Sequence, residues 1–436
     1  MRIHPPDLRL RKFLVSSRGT QDPVQEHVST CARCLRKLEA LQRHLTGPEY
    51  DTALTINARR LTELQAVYTK ERSEAKTLVA EVMRHPAERQ RILIRNHSRF
   101  HTWGVFEQLI EASRAEASGD PKLSEELAKL ALDLSEHLDI SKYGAEAIED
   151  LRARAWAFIG NAHRVRFELR EAQHALDRAL LHLRKGTRES WELAVWLDLK
   201  ASLLRAQRRF DEAMRLLKRA LVLFLAVGDR QRAGRTLISM DNVLHRAGQP
   251  EKGIPLLYQA LELIDPEQDP RLLFSAKHNL IDNLADAGRH MEAQRLLIQA
   301  RSLYHRFDEP AFRNRRRWVE GKIARGLGQP EKAEELLLRA RSGFQEQDAA
   351  YELALVSLEL AGLYAEQGRT AKMKQLAEEM VPIFSSRQIH REALAALALW
   401  CQSVNTETAG AELAAQVATA IKRGREEQMA VGQDAV

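Results

Sequence analysis

Cysteine occurs only three times in 436 residues, so no disulfide framework can organise this chain. Aromatic residues are scarce at 6%, and almost no window shows the β-branched alternation of a strand, which argues against sheets. The longest apolar stretch, Ala393 to Cys401, is far short of a bilayer span. The opening Met1-Arg2-Ile3-His4-Pro5 carries no apolar run, so no signal peptide is expected and a soluble, cytoplasmic protein is. Neither charge sign dominates: 67 basic residues are interspersed with 60 acidic ones, and a net charge of +7 does not by itself point to nucleic acid. There is no Gly-x4-Gly-Lys phosphate loop, no Gly-x-Gly-x2-Gly, no Gly-x-Ser-x-Gly elbow and no His-Glu-x2-His. Carboxylate pairs such as Glu334-Glu335 and Glu378-Glu379 fall on outer helix faces, where solvation accounts for them. The expectation is a protein that is not an enzyme.

What is abundant is helix-forming: Leu, Ala, Glu, Arg and Gln. A repeat organises them. Ala172, Ala213, Gly253, Ala293, Ala333 and Met373 recur at steps of 41 and then 40 residues. Four positions on stand Leu176, Leu217, Leu257, Leu297, Leu337 and Ala377, and seven on stand Ala179, Ala220, Ala260, Ala300, Ala340 and Met380. These offsets share one helical face, where small residues admit a neighbouring helix and the leucine fills the space between. Gly248, Gly288, Gly328 and Gly368 hold one repeat position, suited to the left-handed residue that ends the first helix of a pair.

The first helix is clearest in Trp156-x2-Ile159-Gly160-x2-His163. With Ala172, Leu176 and Ala179 downstream, it resembles the signature of tetratricopeptide repeats over roughly 150 to 400. The resemblance implies an all-α, right-handed α-solenoid of helix pairs. The small position eight of each unit is Gly160, Ala201, Gly321 and Ala361, but Asp241 and Ile281 in two units, where the packing must differ. The unit is about six residues longer than usual for such repeats. The extra length is expected in longer helices and in the turns near Val227-Gly228-Asp229 and Asp265-Pro266-Glu267. A degenerate pair is expected at about 100–117 and 121–138, and a final helix near 406–423 is expected to cover the exposed end of the stack.

The first 47 residues differ in kind. On a helix, His27 and Cys31 share a face, with Cys34 one turn further on the same side. Three N/S ligands from one helix leave a tetrahedral Zn²⁺ needing a fourth. His4 is the natural candidate, since the chain can fold back between Leu8 and Gln21, and His44 is the alternative. Together with His4-Pro5 and Phe13-Leu14, His27-x3-Cys31-x2-Cys34 resembles the zinc-binding domain of anti-sigma factors. That implies a small helical head with a structural zinc and contact with a sigma factor or another transcription component. Two buried thiols, or a redox pair, are the other readings of Cys31-x2-Cys34.

The expected organisation is therefore a zinc-binding head at 1–47, a helical linker at 48–98, a repeat array at 99–400, and a capping helix and tail at 401–436. In tetratricopeptide arrays the first helices line the concave surface. Carried across, that register makes Asn161, Arg164, Arg205, Asn242, Lys322 and Arg325 candidates for holding an extended acidic segment, with Arg313-Asn314-Arg315-Arg316-Arg317 adding charge. The groove is read as rich in Arg and Asn and poor in acids. The function expected is protein–protein interaction, with a protein or peptide partner that could be a sigma factor. Direct nucleic-acid binding and membrane contact are not expected. The alternatives are a general adaptor whose zinc head is only structural, and a redox-sensing zinc-thiolate regulator.

Overall fold

The structure is a computed structural model. It describes residues 31, 36–37, 48–117, 119–380, 400–401, 404 and 410–423, with the backbone alone for 48–65, 311 and 420–423. Among these residues the ordered elements are helices, with no strand. They are α1 (Pro48–Met83), α2 (Ala87–Asn96), α3 (Trp103–Glu116), α4 (Pro121–Ser135), α5 (Ile140–Tyr143), α6 (Ala145–Val165) and α7 (Leu169–Lys185). There follow α8 (Ser190–Ala206), α9 (Phe210–Ala226), α10 (Arg230–Arg246), α11 (Pro250–Leu263), α12 (Pro270–Asp286), α13 (His290–Gln299) and α14 (Arg301–Arg306). The last are α15 (Pro310–Gly326), α16 (Pro330–Glu346), α17 (Ala350–Glu366), α18 (Thr370–Glu379) and α19 (Ala411–Arg423).

The chain forms two compact units, one comprising residues up to His85 with Thr102–Gln108, the other Pro86–His101 with Leu109 onward. In the first unit, Gly104 lies so close to α1 that a Cβ there would be 2.5 Å from the Glu71 carbonyl. Arg72 grips Glu107 through two hydrogen bonds of 2.7 and 3.1 Å, and Trp103 meets Tyr68 edge-on at 5.6 Å.

The second unit holds the repeats. Its opening pair is tied by reciprocal bonds, Ser113 Oγ donating to the Ser124 carbonyl (2.7 Å) and Ser124 Oγ to that of Ser113 (2.8 Å). Asp120 caps α4, accepting from the amides of Lys122 and Leu123, with Pro121 at the first helical position. Six pairs follow: α6/α7, α8/α9, α10/α11, α12/α13–α14, α15/α16 and α17/α18. The repeated face is the core. Ala172, Ala213, Ala293, Ala333, Ala179, Ala220, Ala260 and Ala340 are all completely buried. The leucine four on is received by the small position eight: a Cβ on Gly160 would come within 3.0 Å of Leu176 Cγ, and one on Gly321 within 2.8 Å of Leu337. That close approach, not loop geometry, sets the register.

The two departures are accommodated differently. Asp241 is fully buried and accepts from Asn279 (3.0 Å) and Asn283 (2.5 Å). The usual alanine opposite it is Gly253, where a Cβ would meet Asp241 Oδ1 at 2.1 Å. The pair has exchanged which side is small. In the next pair Ile281 fills position eight, Leu297 is left half-buried, and the second helix is interrupted between Gln299 and Arg301. The extra repeat length resides mainly in the helices. α8, α9 and α10 each run 17 residues, and 227–229 is no longer than the other three-residue turns; only 264–269 is an extended connection.

At the far end Trp400, Cys401 and Val404 pack with Met373, Leu376 and Met380. The final helix α19 departs from expectation. It packs through Ala414 and Val417 onto α17, a first helix, and also reaches α10, so it lies toward the interior of the array. Its alanines explain the choice, since small side chains let it approach closely.

Gly248, Gly288, Gly328 and Gly368 have φ between 67° and 74°, as their position requires. The same position in the first two pairs holds Phe167 and Arg208, both at φ 61°. A side chain in the left-handed region costs ~1–2 kcal/mol. Phe167 is 60% exposed, so little packing offsets that strain. Phe167→Gly should therefore raise the unfolding free energy by ~1 kcal/mol in urea titrations. A clear loss of stability would mean that the exposed ring contributes more than the backbone strain removes.

Candidate functional site

The first helices face a common interior. The register that places Asn161 and Asn242 runs on through Asp282, Lys322 and Gly362, and the register of Arg164 and Arg205 through His245 and Arg325. The two halves of this surface differ in charge balance.

In pairs four to six, cations are matched. Lys322 is almost completely buried, and its ammonium contacts both Asp282 and Asp286, the latter at 2.6 Å. His245 Nε2 lies 3.4 and 3.3 Å from the same two carboxylates. Burial opposes ionisation of Asp282, but Lys322 and His245 override it and hold the carboxyl far below the usual range. Burial likewise works against the Lys322 ammonium, and the two aspartates more than compensate, raising it above its ordinary value. Arg325 is clamped by Glu359 (3.0 Å) and Glu366 (2.6 Å), lying across Gly362, where a Cβ would meet it at 2.7 Å. Lys322 and Arg325 are thus engaged within the fold. The reading of the inner face as poor in acids is corrected: Asp282, Asp286 and Glu359 lie on it. The basic run is also divided. Arg313 pairs with Asp308, Arg316 with Glu320, and Asn314 is buried against Gly343, leaving Arg315 on the interior beside Glu352 (3.4 Å).

Among the described residues, His245, Asp282 and Asp286 place ligand atoms within 4.8 Å of one another. Lys322 already supplies positive charge to both carboxylates, so a divalent cation there would have to displace a buried ammonium. Of the zinc candidates, His4, His27 and Cys34 lie outside the described residues, as does His44. Cys31 is half-buried.

In pairs one to three the balance is different. Arg154 is paired with Glu192, and Arg235 with Asp269 at 2.8 Å. Arg154 and Arg232 both stack at 4.7 Å on Trp191. Arg164, however, donates only to the neutral Asn161 amide oxygen, at 3.0 and 2.8 Å. Arg246 lies 4.0 Å over the Tyr351 ring of pair six. All three of Arg164, Arg205 and Arg246 line a cavity of about 450 Å³ whose opposite wall includes Tyr351 and Glu352. Burial, and then the like charges of Arg164 and Arg246, push the Arg205 guanidinium down to about 9. Burial also lowers Arg164. Asp198 beside them is raised by burial despite four neighbouring arginines, and its Oδ1 has no hydrogen-bond partner.

A second cavity, about 140 Å³, is lined by Asn242, His245, Asn279, Asp282 and Arg315. Asn242 accepts there from Asn279 at 3.3 Å. A third, about 520 Å³, lies between α19 and the inner residues Asp286, Arg325 and Glu359. Sequence reasoning found Arg164 and Arg205 but missed Arg246 and Asp282. The forty-residue step from Asn242 would have found Asp282. Arg246 is one position off the Arg205 register, and only the structure brings it to the same cavity.

No protein-family model and no curated protein matches the sequence. Among solved structures, a Rap protein complexed with Competence and Sporulation Factor is similar with a TM-score of 0.56, at 13% identity over 72% of this chain and 85% of that one. Aspartyl phosphate phosphatase F from Bacillus subtilis gives 0.50, at 12% identity over 87% and 92%. The array is a tetratricopeptide-like solenoid. At these identities the likeness is one of fold, and the tetratricopeptide-like array has no function by that fact alone. No helix among the described residues is long and apolar enough to cross a membrane.

One inner-face group makes a pH test. Burial pushes Asp241 up to about 6, against the pull of His245 and the hydrogen bonds from Asn283 and Asn279. A folded value above the ordinary 3.8 favours the neutral form, so native stability falls as pH rises from about 4 through 6 and stays lowered above that. Asp241→Asn lacks this dependence. The stability of the variant minus that of the parent should grow by ~1–3 kcal/mol between pH 4 and pH 6.5. A difference that stays flat with pH would place Asp241 at its ordinary value.

Proposed function

We propose that this chain is a non-catalytic binding protein whose tetratricopeptide-like array holds an extended acidic segment of a partner protein against its inner face. The observation that carries this reading is the cation excess in pairs one to three, where Arg164, Arg205 and Arg246 face one cavity without an ion-pair partner of their own. Arg164 and Arg205 meet carboxylates, while Asn161 and Asn242 offer amides to the backbone of the segment. Lys322 and Arg325, tied to their own acids, act as wall. The Rap protein of similar fold, solved as a complex with Competence and Sporulation Factor, supports a binding role for such an array. Attraction of this kind is partly screened over ~8–10 Å, so binding should weaken with salt.

A fluorescein-labelled Glu/Asp-rich peptide tests this by anisotropy. Binding in the micromolar range that weakens with added salt is expected. Arg164→Glu with Arg205→Glu should cut affinity at least about ten-fold with unchanged far-ultraviolet circular dichroism. Arg339→Glu, on an exposed second-helix position, should have no effect. If the double reversal binds normally while Arg339→Glu does not, the inner face is not the site.

The head adds a second part to the proposal. His27, Cys31 and Cys34, with His4 as fourth ligand, would hold one Zn²⁺ that stabilises residues 1–47, in a reducing cytoplasm that keeps the thiols available. With four protein ligands the metal has no open position for catalysis. The resemblance to anti-sigma-factor domains supports a sigma factor, or another transcription component, as the partner of the head. Protein purified without added zinc should contain one zinc per chain. Cys31→Ser should lose it while the array keeps its helical signal. Metal-free protein with two reactive thiols would contradict this part of the reading.

A further inference from the structure

The cavity bounded by Arg164, Arg205 and Arg246 has an unusual charge account. The three guanidiniums come from α6, α8 and α10, successive first helices, and converge on one space of about 450 Å³. Their present partners are neutral: the Asn161 amide for Arg164 and the Tyr351 ring for Arg246. Arg205 makes no hydrogen bond or ion pair among the described residues. Of the acids nearby, Glu352 on the opposite wall is engaged by Arg315 at 3.4 Å. Asp198 is the acid that acts on Arg164 and Arg205. Arg208 and Asp348 also line the cavity and contribute one charge of each sign. With Glu352 engaged by Arg315, four positive charges against the two of Asp198 and Asp348 leave an excess of two.

Such an excess is costly in a secluded place, because each guanidinium loses solvent and gains like-charged neighbours. Burial lowers Arg164, and burial together with the like charges of Arg164 and Arg246 lowers Arg205. A ligand with two negative charges and several acceptor oxygens would relieve both costs at once. Arginine forks suit such a group, since each can present two parallel N–H donors to adjacent oxygens. A single carboxylate has too few oxygens to engage three forks and leaves one charge unmatched.

We propose that this cavity is a binding site for a dianionic phosphoryl group, held by Arg164, Arg205 and Arg246. The site goes beyond the groove reading, since it requires only the cavity and no extended segment. The phosphoryl group can belong to a small phosphate or phosphate monoester, or to a phosphorylated side chain of a docked protein segment. Its chemistry at the arginines is the same in both.

The test uses the intact chain in a phosphate-free buffer at fixed ionic strength. Inorganic phosphate and phenyl phosphate are titrated by calorimetry and by thermal melting, with acetate and chloride as controls. One saturable site and a raised melting temperature are expected for the two phosphates but not for the controls. Phenyl phosphate affinity should rise between pH 5.5 and 7.5, as the ligand passes its second ionisation near ~6. Arg205→Gln and Arg246→Gln should each weaken binding at least about ten-fold, the scale of one charge-assisted hydrogen bond. Arg205→Gln removes a repelled charge and should fold at least as well as the parent. Arg246→Lys keeps the charge but loses the fork, and should still weaken binding if the geometry is as stated. Absence of saturable phosphate binding, equal effects from chloride, or unchanged binding in both Gln variants would overturn the proposal. A phosphoserine peptide binding more tightly than inorganic phosphate supports the segment as source, and a small ester binding more tightly supports the free ligand. Capture of an acidic peptide without phosphate binding would sink this site and leave the groove reading standing. Phosphate binding without peptide capture would do the reverse.

Discussion

Close approach of two helices at one small residue is the constraint on which the array depends. A leucine from the second helix packs closely where the first offers glycine or alanine, as Leu176 does over Gly160 and Leu337 over Gly321. Once that contact is fixed, the helix pair has one register, and each first helix presents the same positions to the interior. Pair three shows how strict the demand is. When position eight became Asp241, the space was recovered on the other helix by Gly253, and the carboxyl found Asn279 and Asn283 as donors. Volume was conserved across the contact although both residues changed.

The same register brings equivalent side chains from successive pairs into line, which makes charge balance a property of neighbours. In pairs four to six the line reads Asp282 then Lys322, and the two neutralise each other across adjacent pairs, with Asp286 completing the group. In pairs one to three the lines carry Arg164 and Arg205, and the buried acid beside them, Asp198, is shared among four arginines. One interior therefore has a half that is internally neutral and a half that is left cationic.

Most of the fold was legible in the sequence because its determinant is a spacing of small residues and leucines, which a linear pattern preserves. The helix pairs, the glycine turns and the buried alanine face all appear where the repeat put them. Helix length was less legible, since 17-residue helices and longer turns add the same number of residues to the repeat. The groove was half legible. Register identified which positions face inward, but not that Lys322 and Arg325 are consumed by Asp282, Asp286, Glu359 and Glu366. Pairing across neighbours needs three-dimensional distance. Arg246 was invisible for another reason, because its place in the cavity comes from contact with pair six, not from the repeat.

That contact has a mechanical consequence. A stack in which each unit touches only its neighbours behaves as a chain of springs, and one end can fray while the other stays intact. Here Arg246 of pair three rests on Tyr351 of pair six, and α19 returns to α10 after packing on α17. The spring is fastened back on itself. Loosening its last turn must also release a point near its middle, so the array cannot lengthen or unwind from its end without breaking a contact far from that end. Its elasticity is accordingly that of a closed coil, stiff against stretching until the fastening gives and compliant afterwards.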